Sequence, residues 1–285
     1  MYPEAGYSFD GTATTMPEKS LGKCLKLMKV PLVVVETKGA YAYDPLYNGL
    51  QLRKVKVSAD VTYVLSKEEI AEKSVEELNE IIMKYFSFDN FKWQQENQVE
   101  ISEKFRADYL HRVLYKCPHC NAEGETVGKG TTLTCNACGK VWELDKYGFM
   151  KAQNGETEFA HIPDWYNYER QAVRKELLDG TYKLDCDVDI YVLTDMKAIY
   201  NVGSGHLIHD NNGFKLTGCD GAINYLQAPE LSYSLYSDYY WCEIGDMVCI
   251  GNGKVLYYCF PKDKSVSVAK VRLAAEELYK IVMGK

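Results

Sequence analysis

Two Cys-x2-Cys pairs, Cys117-Pro118-His119-Cys120 and Cys135-Asn136-Ala137-Cys138, stand fourteen residues apart and constrain this chain more than any other feature. Four thiolates at that spacing can close a tetrahedron about Zn²⁺, each pair sitting on a tight knuckle. The alternative, four reduced cysteines in an apolar core, fails on the segment between them. Asn121 to Thr134 is polar and carries Gly124, Gly128 and Gly130, so it cannot bury a core without a metal. With cysteine at all four positions the centre is closed, which describes a structural zinc with no open position for a catalytic water. His119, inside the first knuckle, reads as an exposed loop residue. The flanks Arg112-Val113-Leu114-Tyr115 and Val141-Trp142-Glu143-Leu144 fit the strands of a zinc ribbon.

The chain around this centre has 285 residues, about two domains' worth, and its 46% hydrophobic and 26% charged residues are globular in composition. A net charge of −7 argues against a grip on nucleic-acid phosphates, as does the lack of a basic, aromatic strand face. Ten cysteines are too dilute for a disulfide scaffold, and four carry ligand spacing, so the expected setting is a reducing, cytoplasmic one. The longest tight apolar run, Val30 to Val35, is far short of a membrane span. Met1 to Ser8 has neither a basic n-region nor an apolar h-region and enters at once on a motif-like stretch, as expected of a chain cut inside a domain.

Periodicity divides the chain into five segments. Residues 1–65 hold a loop, a short helix and strands. Ser20 to Lys29 places Leu21, Cys24, Leu25 and Met28 on one helical face and Lys19, Lys23, Lys26 and Lys29 largely on the other, before Val30-Pro31 turns into an apolar strand ending near Thr37. Lys54 to Val64 alternates Val55, Val57, Ala59 and Val61 on one side of a further strand. Residues 66–115 form a helical connector in which Ser66 with Glu69 and Ser74 with Glu77 make two capping boxes, the second helix running to about Phe86. Residues 116–147 are the ribbon. Residues 148–181 are a linker and a helix from Trp165 to about Leu178, capped by Asp164 and stopped by Gly180. Residues 182–285 read as hairpins turning at Asn212-Gly213 and Gly251-Asn252-Gly253, followed by a helix from Ser265 to about Met283. Several strands closed by one C-terminal amphipathic helix is the layout of a pleckstrin-homology-like barrel, and the fold class is α+β, multidomain.

Weaker features read as structure. Asp185, Asp187 and Asp189 line one face of a strand, a solvated face rather than a cation site. His206 and His209, three apart in a strand, point to opposite faces. Gly203-Ser204-Gly205 has no helix after it to bind a nucleotide. Tyr233, Tyr236, Tyr239, Tyr240 and Trp241 read as sheet packing, and Cys24, Cys186, Cys219, Cys242, Cys249 and Cys259 as small core residues.

Tyr2-Pro3-Glu4-Ala5-Gly6-Tyr7-Ser8 resembles the Phe-Pro-Glu-Gly-Thr-Arg-Ser block of the 1-acylglycerol-3-phosphate acyltransferase family. Val30-Pro31-Leu32-Val33-Val34-Val35 resembles that family's later Val-Pro strand block, in matching order and spacing. The remainder looks like the C-terminal extension that some bacterial members carry. The resemblance implies part of an α/β acyltransferase lobe in residues 1–65, with Pro3, Glu4, Ala5, Gly6 and Ser8 as the acceptor-binding residues. Tyr7 stands at the family's arginine position, so the block itself brings no cation to an acceptor phosphate.

The family's chemistry needs a His followed five positions later by Asp: the carboxylate orients the imidazole, which removes the proton from the acceptor hydroxyl as that hydroxyl attacks an acyl thioester. Five residues on from His111, His119, His161, His206 and His209 come Lys116, Gly124, Tyr166, Asn211 and Phe214. The expected function is therefore the C-terminal portion of a phospholipid-synthesis acyltransferase, with an acyl thioester donor and a lysophosphatidate acceptor, inactive as this chain alone. Lys19, Lys23, Lys26 and Lys29 are placed to meet an anionic membrane surface at the inner face. The alternative is a non-catalytic ribbon and barrel module that binds a protein partner or a lipid.

Overall fold

The two serine capping boxes form as the sequence dictates, and they start the packing of the N-terminal third. The structure, a computed structural model, describes residues 6–13, 20–194 and 198–284. Ser66 caps α3 (Lys67–Glu72) and Ser74 caps α4 (Val75–Tyr85), each hydroxyl taking the N–H of the glutamate three residues on while that carboxylate returns to the serine N–H. Helix α1 (Leu21–Met28) lies on α4 through a close approach at Gly22, whose N–H donates to Asn79 Oδ1 at 2.7 Å. A Cβ at Gly22 would stand 2.4 Å from the Val75 carbonyl oxygen, which requires glycine. Leu25, Leu65, Ile70, Leu78 and Ile82 form the small core beneath. Met28, expected on the inner face, is exposed.

Strands β1 (Leu32–Lys38) and β2 (Ser58–Leu65) pair antiparallel, with the single turn α2 (Ala40–Tyr43) between them. The Lys54–Val64 alternation does not form one face: Val55 and Val57 precede the strand and Val55 is buried beside Ala42 and Ile101, whereas Val57, Ala59 and Val61 are exposed, so the strand's part of the pattern faces outward. Helix α5 (Asn90–Glu96), capped by Asp89, completes this part.

A four-stranded antiparallel sheet, β3 (Thr126–Lys129), β4 (Thr132–Cys135), β5 (Val141–Leu144) and β6 (Met150–Ala152), carries the cysteine pairs. Val141–Leu144 is a strand as expected. Arg112–Tyr115 is not: the chain there leaves a 3₁₀ turn at Leu110–Arg112 and only Lys116 bridges to Glu123. Helix α6 (Ile162–Leu178) starts three residues earlier than its sequence signal, because Pro163 takes the first turn and Asp164 sits inside it, with His161 at the N-cap.

The C-terminal sheet has seven strands, β7 (Leu184–Thr194), β8 (Ala198–Asp210), β9 (Gly213–Gly218), β10 (Ile223–Gln227), β11 (Tyr236–Trp241), β12 (Gly245–Gly251) and β13 (Leu256–Pro261), in the order β10-β9-β8-β7-β13-β12-β11. Two meanders thus join through β7 and β13, the first strand and the last. Both predicted hairpin turns are present, between β8 and β9 and between β12 and β13. The barrel expected from sequence does not close, since the outer strands β10 and β11 do not pair. The connection between them turns through Pro229–Leu231, and Gln227 bridges by side chain instead, accepting the Gly251 N–H at 2.9 Å and donating to Ser232 Oγ at 2.8 Å. Helix α7 (Val268–Val282), capped by Ser267, packs on this sheet and on α6.

On β7, Val188 and Ile190 turn into the core while Asp185, Asp187 and Asp189 face outward. Tyr236 and Trp241 pack on the outer face over Met247, Cys249, Tyr258 and Phe260, with Trp241 stacked on Tyr258 at 4.4 Å. Cys186, Cys249 and Cys259 are core residues as read, but Cys242 is exposed in the β11–β12 turn, where Tyr240, Cys242 and Glu243 all have positive φ.

Candidate metal centre

Each Cys-x2-Cys folds into its knuckle by the same local device. Cys117 N–H donates to Ala122 O and Asn121 N–H returns to Cys117 O, both at 2.9 Å. In the second pair Cys135 N–H donates to Lys140 O at 2.9 Å and Gly139 N–H to Cys135 O at 2.8 Å. The residue four after the first cysteine must turn left-handed, and these are Asn121 (φ 65°) and Gly139 (φ 75°), two of the residue types that tolerate that conformation.

The knuckles face each other and bring the four sulfurs within 4.8 Å of one another. Cys117 Sγ lies 3.8 Å from Cys138 Sγ, and Cys120 Sγ lies 3.8 Å from Cys135 Sγ. Each contact therefore crosses between the pairs, as a shared ion requires. Cys117 and Cys135 are fully buried, Cys120 and Cys138 exposed. Burial pushes the Cys117 and Cys135 thiols up, while the Ala122 N–H bonded to its sulfur holds Cys120 below the ordinary thiol range. Four convergent thiols, half in the core and half at the surface, can hold a metal ion, and the donor set is all sulfur.

His119 is no part of the cluster. Its Nδ1 lies 3.2 Å from Glu158 Oε1, on a carboxylate shared with Lys140 and with Trp142 Nε1 at 3.0 Å. Behind the first knuckle, the main chain of Lys116 is held from two sides by α6. Its N–H donates to Glu169 Oε1 at 2.8 Å and its carbonyl accepts from Trp165 Nε1 at 2.9 Å. Glu169 is fully buried, and burial raises its pKa well above the carboxylate range. Glu123 pairs with Lys116 at 2.8 Å and with Lys270 of α7 at 2.6 Å. Sequence reading missed Trp165, Glu169 and Lys270 because they lie tens of residues from the cysteines and carry no motif.

The expected acceptor-binding residues are only partly described: Pro3, Glu4 and Ala5 lie outside the described residues, as does Lys19 of the lysines expected to meet a membrane. Ser8 Oγ donates to Asp10 Oδ1 at 3.3 Å, and Thr12 Oγ1 donates to the same carboxyl at 2.9 Å. Burial raises the Asp10 pKa, against the hydroxyl and N–H of Thr12, which lower it. Near Gly6, Arg272 Nη1 donates to Tyr7 O at 2.6 Å. Ser8, Asp10 and Thr12 line a cavity of about 30 Å³ with Arg170, Arg272 and Glu276, roughly room for one water. Arg170 and Arg272 are each paired with Glu276. Lys23 and Lys29 are exposed, and Lys26 Nζ donates to Ala71 O at 3.3 Å.

An imidazole–carboxylate pair that no local motif announces forms across 72 residues, His161 Nε2 to Asp89 Oδ2 at 2.7 Å. Its hydrogen bond raises the His161 pKa; burial works to raise Asp89, but that bond and the Lys92 N–H hold it low. His161 Nδ1 faces Gln95 Nε2 at 3.4 Å, so the pair ties α5 to α6. On the outer face of β7 and β8, His206 sits between Asp185 at 2.6 Å and Asp187 at 2.9 Å. Lys183 pairs with Asp185 and Lys262 with Asp189, so the aspartate row is a face of ion pairs. His209 is buried on the opposite face, as its spacing requires.

Among the described residues no helix is long and apolar enough to cross a membrane. No protein-family model, curated protein or solved structure matches the chain.

Proposed function

We propose that Cys117, Cys120, Cys135 and Cys138 hold a structural Zn²⁺ in a chain that supplies the C-terminal portion of a lysophosphatidate-type acyltransferase. The metal reading rests on the sulfur spacing. A tetrahedron with bonds of about 2.3 Å has edges of about 3.8 Å, which is the separation of Cys117 from Cys138 and of Cys120 from Cys135. Metal analysis of freshly reduced protein should return one Zn²⁺ per chain. A value near zero refutes the site, and a red, iron-loaded preparation keeps the site and changes the ion.

The acyltransferase reading rests on the two resemblance blocks, which lie before and after α1 in the sequence, the second with Val33-Val34-Val35 in β1. On this reading the acceptor loop is residues 3–8, the donor is an acyl thioester, and the general base belongs to a His-x4-Asp lobe outside this sequence. His161 and Asp89 do not replace that base, because both imidazole nitrogens face protein groups. The chain alone should give no acyl transfer to lysophosphatidate above background, and turnover should appear when a His-x4-Asp lobe is joined to it. Turnover by the chain alone that disappears in Glu4→Ala refutes this assignment.

The non-catalytic module is favoured by one feature, the seven-stranded sheet. Two meanders joined through their first and last strands and covered by a C-terminal helix support a pleckstrin-homology-like reading, whose use would be to bind a lipid or a protein. Sedimentation with phosphatidate-rich vesicles separates the two. On the acyltransferase reading, Lys19, Lys23, Lys26 and Lys29 changed together to Gln should release the chain from the vesicles, while on the module reading binding survives that change.

A further inference from the structure

The metal centre is tied to more of the molecule than its own ribbon. The segment from Arg112 to Thr126 contains the first knuckle, and three other parts of the fold grip it. Helix α6 holds the Lys116 peptide through Trp165 and Glu169. Helix α7 reaches Glu123 through Lys270, which also pairs with Glu176 of α6 at 2.8 Å. The β11–β12 hairpin holds the segment's entry: Tyr239 Oη donates to Arg112 O at 2.6 Å, and Arg112 Nη2 lies 3.2 Å from Asp246 Oδ1.

The apolar contacts follow the same lines. Cys117, Cys135, Leu133 and Trp142 of the ribbon belong to one continuous core with Trp165 and Val173 of α6, Val188, Leu207 and Val248 of the sheet, and Leu273 of α7. Trp142 and Trp165 meet at 5.0 Å across the boundary.

We infer that the metal ion is the interlock that holds α6, α7 and the β11–β12 hairpin together, so that its occupancy sets the stability of the seven-stranded half and not of the ribbon alone. The inference rests on the reading of the four cysteines as a metal site. Its physical basis is that the two knuckles, each closed by only a few main-chain hydrogen bonds, meet through four convergent sulfurs that a shared ion binds into one unit. Metal binding in small ribbons supplies a free energy comparable to the whole stability of a domain. When the knuckle loosens, Lys116 and Glu123 lose their positions, and α6 and α7 lose the polar contacts that orient them over the sheet.

The test is hydrogen exchange on the full chain, with metal content measured on the same samples before and after chelation. Metal removal is expected to speed exchange about tenfold or more in α7 and in β11 and β12, as well as in residues 113–145. Cys120→Ser should reproduce that pattern without chelator. Cys120 is the ligand to change because it is exposed, whereas Cys117 and Cys135 are also core residues. Faster exchange confined to 113–145 while α7 and the sheet keep their protection overturns the interlock and leaves the metal site standing. Protein that neither contains nor takes up Zn²⁺ overturns the metal reading, and the interlock with it.

Discussion

The small core under α1, α3 and α4 and the large core that runs from the ribbon to α7 are built on different terms. The first gathers five buried residues from neighbouring stretches of chain, trims its helix ends with two capping boxes, and leaves an apolar strand face uncovered. The second joins the metal site, α6, the sheet and α7 in one apolar cluster, crossed by the buried Arg272–Glu276 ion pair, to which the half-buried Arg170 also bonds. Damage to the first should stay local, and damage to the second should spread.

The sharpest way to break that contrast is a pair of truncations. Trp165→Ala removes a fully buried ring, its contact with Trp142 and the hydrogen bond to Lys116 O, and should cost about 3–5 kcal/mol of global stability while weakening metal retention. Leu78→Ala, also fully buried, should cost about 2–5 kcal/mol, read as faster exchange in α1, α3 and α4 with the seven-stranded sheet unchanged. Equal spread of both effects in hydrogen exchange would erase the distinction.

Acid should act on the large core first. His209 is buried, stacked on Phe214 at 3.8 Å, with Nδ1 3.0 Å from the Tyr182 hydroxyl, and burial drops its pKa from 6.5 to about 3. The unfolded chain then binds a proton that the folded chain refuses. The stability due to neutral His209 is therefore whole above 6.5 and is lost as pH falls toward about 3. At about pH 5 the loss is about 2 kcal/mol. Urea unfolding of His209→Phe should show a flatter acid limb than the parent between about pH 7 and pH 5. An unchanged limb would mean that His209 is protonated in the fold.

Legibility in the sequence followed distance along the chain. The capping boxes span four residues, the knuckles six and the hairpin turns two or three, so each is written locally and each formed. The long-range contacts are not written locally: Glu123 beside the metal site meets Lys270, and His161 at the start of α6 meets Asp89 at the start of α5, only because helices pack. Alternation in the strand's part of Lys54–Val64 defined two faces but not which one is inside, since that depends on what the strand packs against. The barrel did not close for a related reason. Strand count and a closing helix are visible in the sequence, whereas the route of the chain from Gln227 through Pro229 to Tyr236 depends on side chains meeting across the sheet.

A smaller effect tests whether the local devices of the small core stand on their own. Ser74→Ala removes the hydroxyl that accepts the Glu77 N–H and leaves the return bond, from the Ser74 N–H to the Glu77 carboxylate, in place. It should cost about 1 kcal/mol and fray the first turn of α4. The Glu77 pKa, held low chiefly by the Ser74 N–H and next by the Ser74 hydroxyl, should keep the larger part of its depression, because the N–H donor is main chain and survives the change. A Glu77 titration that returns to the ordinary carboxylate range would show that the whole turn has unwound.

The smallest expected effect bears on the uncovered face of β1 and β2. Val35 lies across from Val61 and Val33 across from Tyr63, and Val61 and Tyr63 are 70% and 61% exposed. Apolar side chains left in water on a two-stranded sheet contribute little to folding, since the area they remove from solvent is small. Val61→Thr keeps the β-branched shape and changes only polarity, so it should shift stability by no more than about 0.5 kcal/mol in urea unfolding. A loss above about 1 kcal/mol is outside that surface range and would mean that the valine is covered in solution. The small core would then resemble the large one in depending on contacts beyond its own segment, and the comparison drawn from their different burial would fail at the strand where it is most exposed.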